Sequence, residues 1–352
     1  MRTNIYGTIG PACRSVETLR RLFAEGMTGV RLNLSHTSLA DAADWIANIH
    51  HAYESQSGGA GIDRAQILMD LQGTELRIGT LREPRQLSEG EKVILADMAG
   101  KGTAGAETIP VPGSILPHLT REQELLLDDG QLLLMVEETP AEGEGGAVSC
   151  TVVRGGCLRS RKSIALHGAS WKAPTLTDSD LRNIRDARRF GITGVMLPFV
   201  RSAADLCCLR ETLESEHAGD VRIFAKIENM DGVESLPELL AHCDEVVIAR
   251  GDLGNSMPLW KLPVVQARLA ELCRREGKPF MVVTQMLASM ETKQIPTRAE
   301  VSDIFCAVAE GASSVMLTGE TAAGNYPVEA MHYLVQTVRE TEAYMAESAV
   351  RR

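Results

Sequence analysis

The chain of 352 residues lacks the features that mark membrane and secreted proteins. It contains no run of about 18 apolar residues, so we expect no segment to span a bilayer. Its first residues also lack the charged and then apolar profile of a signal peptide. The sequence therefore predicts a cytoplasmic protein without a membrane partner.

The eight cysteines form no recognisable disulfide or metal motif. They are scattered along the chain, and several stand inside apolar runs, which is typical of free thiols in a reducing compartment. Neither Cys207-Cys208 nor the pair Cys150 and Cys157 has the CxxC spacing of a zinc site. We expect no metal ligation by cysteine.

Positive charge is scarce, because 36 Lys and Arg residues face 47 Asp and Glu residues and give a net charge of −11. This balance argues against a nucleic-acid partner. An anionic substrate would have to be bound by local cations or metal ions. The apolar fraction of 44% and the charged fraction of 24% are those of a globular protein and exclude a disordered or fibrous chain.

Short apolar runs alternate with amphipathic segments along most of the chain. This alternation predicts an α/β protein with a parallel sheet covered by helices, and eight strands favour a (β/α)8 TIM barrel. An open doubly wound sheet is the alternative, which periodicity alone does not exclude. The predicted strands are 4–7, 29–34, 66–71, 194–199, 222–227, 245–249, 279–284 and 313–317. The predicted helices are 16–25, 38–53, 178–190, 202–214, 263–276, 297–310 and a last one opening near 327.

One stretch, from about residue 81 to 166, breaks this rhythm. It has no convincing amphipathic helix, but it has short apolar runs separated by turn signals. The runs predicted to be strands are 93–96, 125–127, 132–136 and 148–153. The pattern predicts a small all-β domain inserted after the third strand, with a barrel made of residues 1–80 and 167–352.

Charged and hydroxyl side chains follow six of the predicted barrel strands. The carboxyl ends of such strands meet at one face, where the active sites of these barrels lie. Glu228 and Asp252 suit Mg²⁺ or Mn²⁺, which prefer carboxylate oxygens. Lys226 offers a point charge for a phosphoryl group, and Arg31 and Arg77 offer forked donors for phosphate. The oxygens suited to a monovalent cation belong to Asn33, Ser35 and Asp70.

Seven segments resemble signatures of the pyruvate kinase family and occur in the family's order. They begin at Thr8, Gly29, Ala225, Ala249, Thr284, Pro296 and Met316 and read TIGPA, GVRLNLSH, AKIEN, ARGDLG, TQML, PTRAE and MLTGETAAG. The resemblance covers nearly the whole chain, from Asn4 to about Glu342. It implies a TIM barrel with a β lid domain, and transfer of a phosphoryl group from phosphoenolpyruvate to ADP that gives pyruvate and ATP. The implied cofactors are Mg²⁺ or Mn²⁺ and K⁺.

The resemblance also implies roles for residues near the transferred group. Lys226 and Arg31 would contact the phosphoryl group, and Thr284 or a water held by Thr318 would protonate the enolate. The divalent metal would be held by Glu228 and Asp252. The groups implied to bind the substrate carboxylate are the amides of Gly251 and Asp252 and the hydroxyl of Thr284.

Two further sets follow from the resemblance. The implied K⁺ ligands are Asn33, Ser35, Asp70 and the carbonyl of Leu71, and Glu75 matches the K⁺-dependent type. The residues implied to lie near the nucleotide phosphates are Arg77, His36 and Lys162, and Asp129 would contact a nucleotide-bound metal when the lid closes.

The chain departs from the family pattern at several positions. Leu71, Gln72 and Thr74 replace the usual threonine, lysine and proline of the third-strand motif, and Pro198 replaces a serine. The family's usual C-terminal domain is not recognised, so we expect no activation through it and a homodimer formed through the barrel.

Three alternative functions stay open at this point. A metal-dependent lyase or aldolase acting on pyruvate-like 2-oxo acids would need the Glu228 and Asp252 metal site but no nucleotide site. A relative with a changed phosphoryl donor or acceptor would keep the charges and alter the loops. A non-catalytic binding protein would not need an intact Lys226.

Overall fold

The computed structural model describes residues 3–35, 37–54, 65–74, 76–99, 107–128, 130–139, 146–166 and 174–350. The chain divides into two compact units. The first consists of Met1–Gly73 with Thr175–Arg352, and the second of Thr74–Pro174. The second unit therefore extends beyond the predicted insertion of 81–166 at both ends.

The first unit is a closed barrel of eight parallel strands. Each strand pairs with the next one along the chain, and the last closes against the first through the register Asn4 to Ser314. Numbered along the whole chain, the barrel strands are β1 (Asn4–Thr8), β2 (Gly29–Asn33), β3 (Gln66–Asp70), β12 (Gly194–Leu197), β13 (Arg222–Ile227), β14 (Glu245–Ala249), β15 (Phe280–Val283) and β16 (Ser314–Leu317), and β4–β11 belong to the second unit. The predicted (β/α)8 barrel is confirmed, and the open doubly wound sheet is wrong.

Helices follow the barrel strands and cover their outer faces. They are α1 (Val16–Glu25), α2 (Ala43–Glu54), α3 (Asp178–Asp186), α4 (Ala203–Ser215), α5 (Met230–Leu239), α6 (Arg250–Asn255), α7 (Leu262–Arg275), α8 (Arg298–Ala309), α9 (Gly319–Ala322) and α10 (Pro327–Val350). Helices α3 and α8 each begin with a capping box. The hydroxyls of Thr177 and Thr297 accept hydrogen bonds from the backbone N–H of the residue three positions later. No helix in the described part of the chain combines the length and the apolar character needed to cross a membrane.

Two helices are shorter than the sequence predicts. The helix predicted from 38 begins at Ala43, because Ser38 and Asp41 bond to each other's backbone N–H and form a turn instead. The helix predicted to reach 190 ends at Asp186. The turn that follows ends at Gly191, which has a left-handed φ of 67°.

The barrel strands are buried on both faces, which explains their continuous apolar runs. One cluster fills the inside of the barrel, and its largest members are the fully buried rings of Tyr6 and Phe224. Gly194 leaves room for one of these rings, since a Cβ there would stand 2.6 Å from Phe224 Cε2. A second and larger cluster packs the strands against the helices.

The described residues of the second unit form β-strands and one short 3-10 helix (Leu116–His118), and they have a hydrophobic core of their own. A six-stranded sheet has the order β11-β7-β8-β9-β5-β6, and β10 pairs with β4 in a separate two-stranded sheet. The strands are β4 (Arg85–Leu87), β5 (Lys92–Asp97), β6 (Thr108–Val111), β7 (Glu124–Leu127), β8 (Leu132–Glu138), β9 (Val148–Arg154), β10 (Gly156–Leu158) and β11 (Ile164–Leu166). The four strands predicted in this stretch are present, as parts of β5, β7, β8 and β9.

We predict that Phe224→Ala lowers the free energy of unfolding by about 3–5 kcal/mol, because it leaves a cavity inside the barrel. The matched control is Phe305→Ala, whose side chain is 39% exposed and whose loss should change stability by about 0.5 kcal/mol. Denaturant unfolding of both variants measures the difference. Equal effects would contradict the packing described for the barrel interior.

Candidate active site

Four charged side chains form a buried network at the carboxyl ends of β2, β3 and β13. Asp70 Oδ2 accepts hydrogen bonds from Arg31 Nε at 2.8 Å and Nη2 at 2.5 Å. Lys226 Nζ lies 3.2 Å from the same oxygen and 3.0 Å from Glu228 Oε1. Two basic side chains and two carboxyl groups therefore meet here, and the alternation Lys226-Ile-Glu228 predicts that Lys226 and Glu228 lie on one face of the strand.

Burial and charge shift the pKa values of this network in different directions. Burial alone would raise the pKa of Asp70, but the charges of Lys226 and Arg31 outweigh it and hold that pKa below its ordinary value. Burial would lower the pKa of Lys226, but Asp70 and Glu228 raise it well above the ordinary lysine value. Lys226 is therefore a charged ammonium at neutral pH.

Glu228 is the carboxylate that a cation would stabilise most. Burial raises its pKa, the charge of Lys226 lowers it, and the charges of Asp252 and Asp70 raise it, and together these effects bring it to about 7. Its Oε2 accepts from the backbone N–H of Phe199 at 2.8 Å. The charge of Asp252 acts on Glu228, and the two residues follow the paired strands β13 and β14.

These two residues fit a hard divalent cation. Among the described residues no group of three or more His, Cys, Asp and Glu side chains could hold a metal ion by itself. Mg²⁺ needs no such group, because it usually takes one or two protein carboxylates and completes its shell with water and substrate oxygens. The oxygen donors of Glu228 and Asp252 match that preference.

The residues expected to bind K⁺ lie together at the ends of β2 and β3. Asn33 and Asp70 are register partners, and Asn33 Oδ1 accepts from the backbone N–H of Ser35 at 3.2 Å. Asp70 Oδ1 is buried and has no hydrogen-bond partner in the part of the chain that the structure describes. Leu71 follows directly, with its N–H bonded to the carbonyl of Met196. A buried carboxylate oxygen beside amide and hydroxyl groups fits a monovalent cation.

The predicted carboxylate-binding groups also meet in the structure. The N–H of Gly251 donates to Thr284 Oγ1 at 2.8 Å, and that hydroxyl donates to the carbonyl of Val283 at 2.5 Å. Asp252 follows Gly251 in the first turn of α6. The amide and the hydroxyl therefore occupy one corner of the barrel face.

Thr318 lies at the end of the neighbouring strand, β16. Its hydroxyl donates to Glu320 Oε2 at 3.3 Å, and its N–H donates to the same oxygen at 2.7 Å. Glu320 is buried and its Oε1 accepts from the N–H of Leu287 at 3.0 Å. The position of the Thr318 hydroxyl is thus fixed by a buried carboxylate.

The chain matches the model of a family described as "Pyruvate kinase, barrel domain" over residues 1–331. It is 37% identical to the pyruvate kinase of Geobacillus stearothermophilus over 342 residues, which are 97% of this chain and 57% of that relative. It is 38% identical to the Thermococcus litoralis pyruvate kinase over 347 residues, 97% of this chain and 70% of the relative. It is 39% identical to human pyruvate kinase PKLR over 351 residues, 97% of this chain and 60% of the relative.

The chain belongs to the pyruvate kinase family. It spans between 57% and 70% of the length of these three relatives. The family resemblance carried by the seven sequence segments is therefore confirmed, together with the barrel that it implies.

The residues that the family pattern places near a nucleotide are only partly described. Arg77 and Lys162 belong to the second unit, where the N–H of Ile78 donates to the Lys162 carbonyl at 2.9 Å. Lys162 Nζ lies 2.6 Å from Asp128 Oδ1, and Arg77 Nη1 donates to the carbonyl of Arg161 at 2.9 Å. The other two residues predicted near the nucleotide, His36 and Asp129, lie outside the described residues, and so does Glu75, which matches the K⁺-dependent type.

Sequence reasoning missed three supports of the site. Thr8 accepts from Arg31 Nη1 at 3.1 Å, and the TIGPA segment could have directed attention to it. Asp180 is buried and accepts from the N–H groups of Gln72 at 2.8 Å and Gly73 at 3.2 Å, so it holds the loop after β3. Its signal was the capping-box spacing from Thr177. The third is Arg250, which the sequence places at a strand end without a role.

We predict that Asp70→Asn lowers the free energy of unfolding by about 3 kcal/mol at pH 7, because it leaves two buried cations facing one carboxylate. The double variant Asp70→Asn with Arg31→Gln restores the balance of charge and should lose less stability than the two single losses together. Denaturant unfolding compares the native protein, Asp70→Asn, Arg31→Gln and the double variant.

The pH dependence of this prediction has a definite sign. A carboxyl whose pKa is lowered in the fold stabilises the protein above its unfolded pKa, near 4, and that stabilisation is lost as the pH falls through the folded value. The difference in the free energy of unfolding between the native protein and Asp70→Asn should therefore become smaller below about pH 4. A difference in the free energy of unfolding that stays constant with pH would contradict the balanced network. Losses of unfolding free energy that add in the double variant would contradict it too.

Proposed function

We propose that this chain transfers the phosphoryl group of phosphoenolpyruvate to ADP and releases pyruvate and ATP. The observation that carries the proposal is the charged, buried Lys226 between Asp70 and Glu228 at the face of the barrel where the other matching residues lie. The bond from phosphorus to the enol oxygen breaks, and a bond from phosphorus to a terminal oxygen of ADP forms. The enolate then takes up one proton at carbon and becomes pyruvate.

Phosphoryl transfer requires alignment of the reactants and positive charge from the protein, and it requires no covalent intermediate. Lys226 and Arg31 supply that charge at fixed positions, since both are held by Asp70. Glu228 and Asp252 would hold a divalent ion, which would supply further positive charge at the substrate oxygens. The preformed network means that these side chains need little rearrangement during the transfer.

The substrate carboxylate is assigned to the corner formed by the amides of Gly251 and Asp252 and the hydroxyl of Thr284. The hydrogen bond from Gly251 to Thr284 supports this assignment, because it brings two of the three groups to one point. The proton for the enolate comes from Thr284 or from a water held by Thr318. The two threonines follow adjacent strands of the barrel.

We assign the second unit as a lid that covers the nucleotide and excludes water, which would otherwise compete as the phosphoryl acceptor. The adjacency of Arg77 and Lys162 within that unit supports this role. The proposed nucleotide residues are Arg77, His36, Lys162 and Asp129. The cytoplasmic location and a homodimer through the barrel stay predictions from the sequence.

A changed phosphoryl donor or acceptor is the second candidate function. It is favoured by the position of one departure from the family pattern, Pro198, beside the loop that carries the others. The ring of Pro198 fills the space beside Gly73, where a Cβ would stand 2.5 Å from Pro198 Cγ. Pro198 and the altered loop after β3 therefore shape one part of the barrel face together. The lyase alternative is weaker, because it gives no role to Lys226, Arg77 or Lys162.

We predict that the purified chain releases pyruvate from phosphoenolpyruvate in a reaction that requires ADP and Mg²⁺. Lys226→Met should lower kcat by about 10³-fold, as expected when a charge that stabilises the transition state is removed. Lys293→Met is the matched control, because that side chain is exposed, and it should leave the rate unchanged. A coupled assay of pyruvate measures both.

Three outcomes of this assay distinguish the candidates. Absence of ADP-dependent turnover would overturn the proposal, and release of pyruvate from oxaloacetate without ADP would favour the lyase. Turnover with another phosphoryl acceptor would establish the second candidate.

Replacing K⁺ with tetramethylammonium should lower the rate of pyruvate release. An unchanged rate would show that the K⁺ assignment at Asn33, Ser35, Asp70 and Leu71 is wrong.

A further inference from the structure

One buried guanidinium joins three parts of the barrel that are distant in sequence. Arg250 opens α6 and is 9% exposed. Its Nη1 donates to both carboxylate oxygens of Asp303 on α8, at 2.7 and 2.6 Å. Its Nη2 and Nε donate to the carbonyl of Thr284 at 2.7 and 3.3 Å. All three nitrogens of the side chain are therefore engaged.

The carbonyl that Arg250 holds lies in a strained turn. Thr284 has a φ of 74° and Gln285 a φ of 53°, so two consecutive residues with side chains adopt the left-handed conformation. The strain is greatest at Thr284, because a β-branched residue is a true outlier there. Such a residue is energetically costly and persists only where the surrounding structure enforces its conformation.

The position of this carbonyl explains how the turn is enforced. It belongs to the peptide that joins the two strained residues, so fixing its direction fixes ψ of Thr284 together with φ of Gln285. The planar fork of an arginine can place two N–H donors on one oxygen while a third nitrogen binds a carboxylate. A lysine has no such fork. Asp303 in turn keeps the guanidinium from rotating away.

We infer that Arg250, anchored by Asp303, is a positioning residue that holds the Thr284 hydroxyl in the place where it meets the Gly251 amide. The inference rests on the proposed function, since Thr284 is assigned there to the substrate carboxylate and the enolate. Arg250 acts through the backbone of Thr284 and does not need to touch the substrate. Its loss should therefore harm the chemical step more than the binding of ADP.

The test compares Arg250→Met, Arg250→Lys and Asp303→Asn in the pyruvate assay. We expect Arg250→Met to lower kcat by about 10²-fold, the effect of misplacing a reacting group by about 1 Å, and to change the KM for ADP little. Arg250→Lys and Asp303→Asn should cause smaller losses. Arg275→Met is the control, because Arg275 is an exposed residue paired with its neighbour Glu276.

Two further readouts separate positioning from general stabilisation. Adding Gln285→Gly to Arg250→Met should recover part of the lost kcat, because glycine adopts the left-handed conformation without strain. In a Thr284→Ala background, Arg250→Met should cause little additional loss, because both changes remove the same hydroxyl from its place. A structure of Arg250→Met should show Thr284 outside the left-handed region.

The inference is overturned if Arg250→Met keeps the native kcat. It is also overturned if the fold-losses of kcat caused by Arg250→Met and by Thr284→Ala multiply fully in the double variant. A left-handed φ of Thr284 in the structure of Arg250→Met would overturn it as well. If Arg250→Met does not fold, Asp303→Asn and Arg250→Lys carry the same comparison. A native chain without activity would refute the proposed function alone, and the φ of Thr284 in the variant structures would then decide the inference.

Discussion

The site depends on one buried carboxylate that two cations share. Asp70 holds Arg31 and Lys226 at a single oxygen, and Glu228 completes a set of two basic and two acidic side chains. Buried ion pairs add little net stability, but removing one partner is costly because it leaves a charge unpaired. The balance therefore fixes the side chains in place while leaving the lysine and arginine charges available to a phosphoryl group.

Backbone strain at the same face is held in place by buried polar groups. Phe199, Thr284 and Gln285 all have left-handed φ angles, and all lie within two residues of the end of a barrel strand. The N–H of Phe199 is held by Glu228, and the carbonyl of Thr284 is held by Arg250. One proposed metal ligand, Glu228, and one positioning residue, Arg250, thus bind the backbone of the loops at this face, and functional sites are where backbone strain is expected.

The barrel could be predicted from sequence because its strands are buried on both faces and give continuous apolar runs. The positions of Lys226, Glu228 and Asp252 could be predicted because parallel strands bring their carboxyl ends to one face. The contact between Arg250 and Asp303 could not, since it joins residues that are 53 positions apart through side-chain geometry alone. The start of α2 was missed because Ser38 and Asp41 bond locally to the backbone, a competition that apolar periodicity does not record.

The most direct test of this account is the protonation state of Lys226, followed by NMR of its side-chain Cε with ¹³C-labelled lysine and assigned with Lys226→Met. The account predicts that the Lys226 signal stays that of an ammonium while ordinary lysines titrate near pH 10.4, since Asp70 and Glu228 raise its pKa. A Lys226 signal that titrates with the other lysines, or below them, in a protein that remains folded would contradict the balanced network.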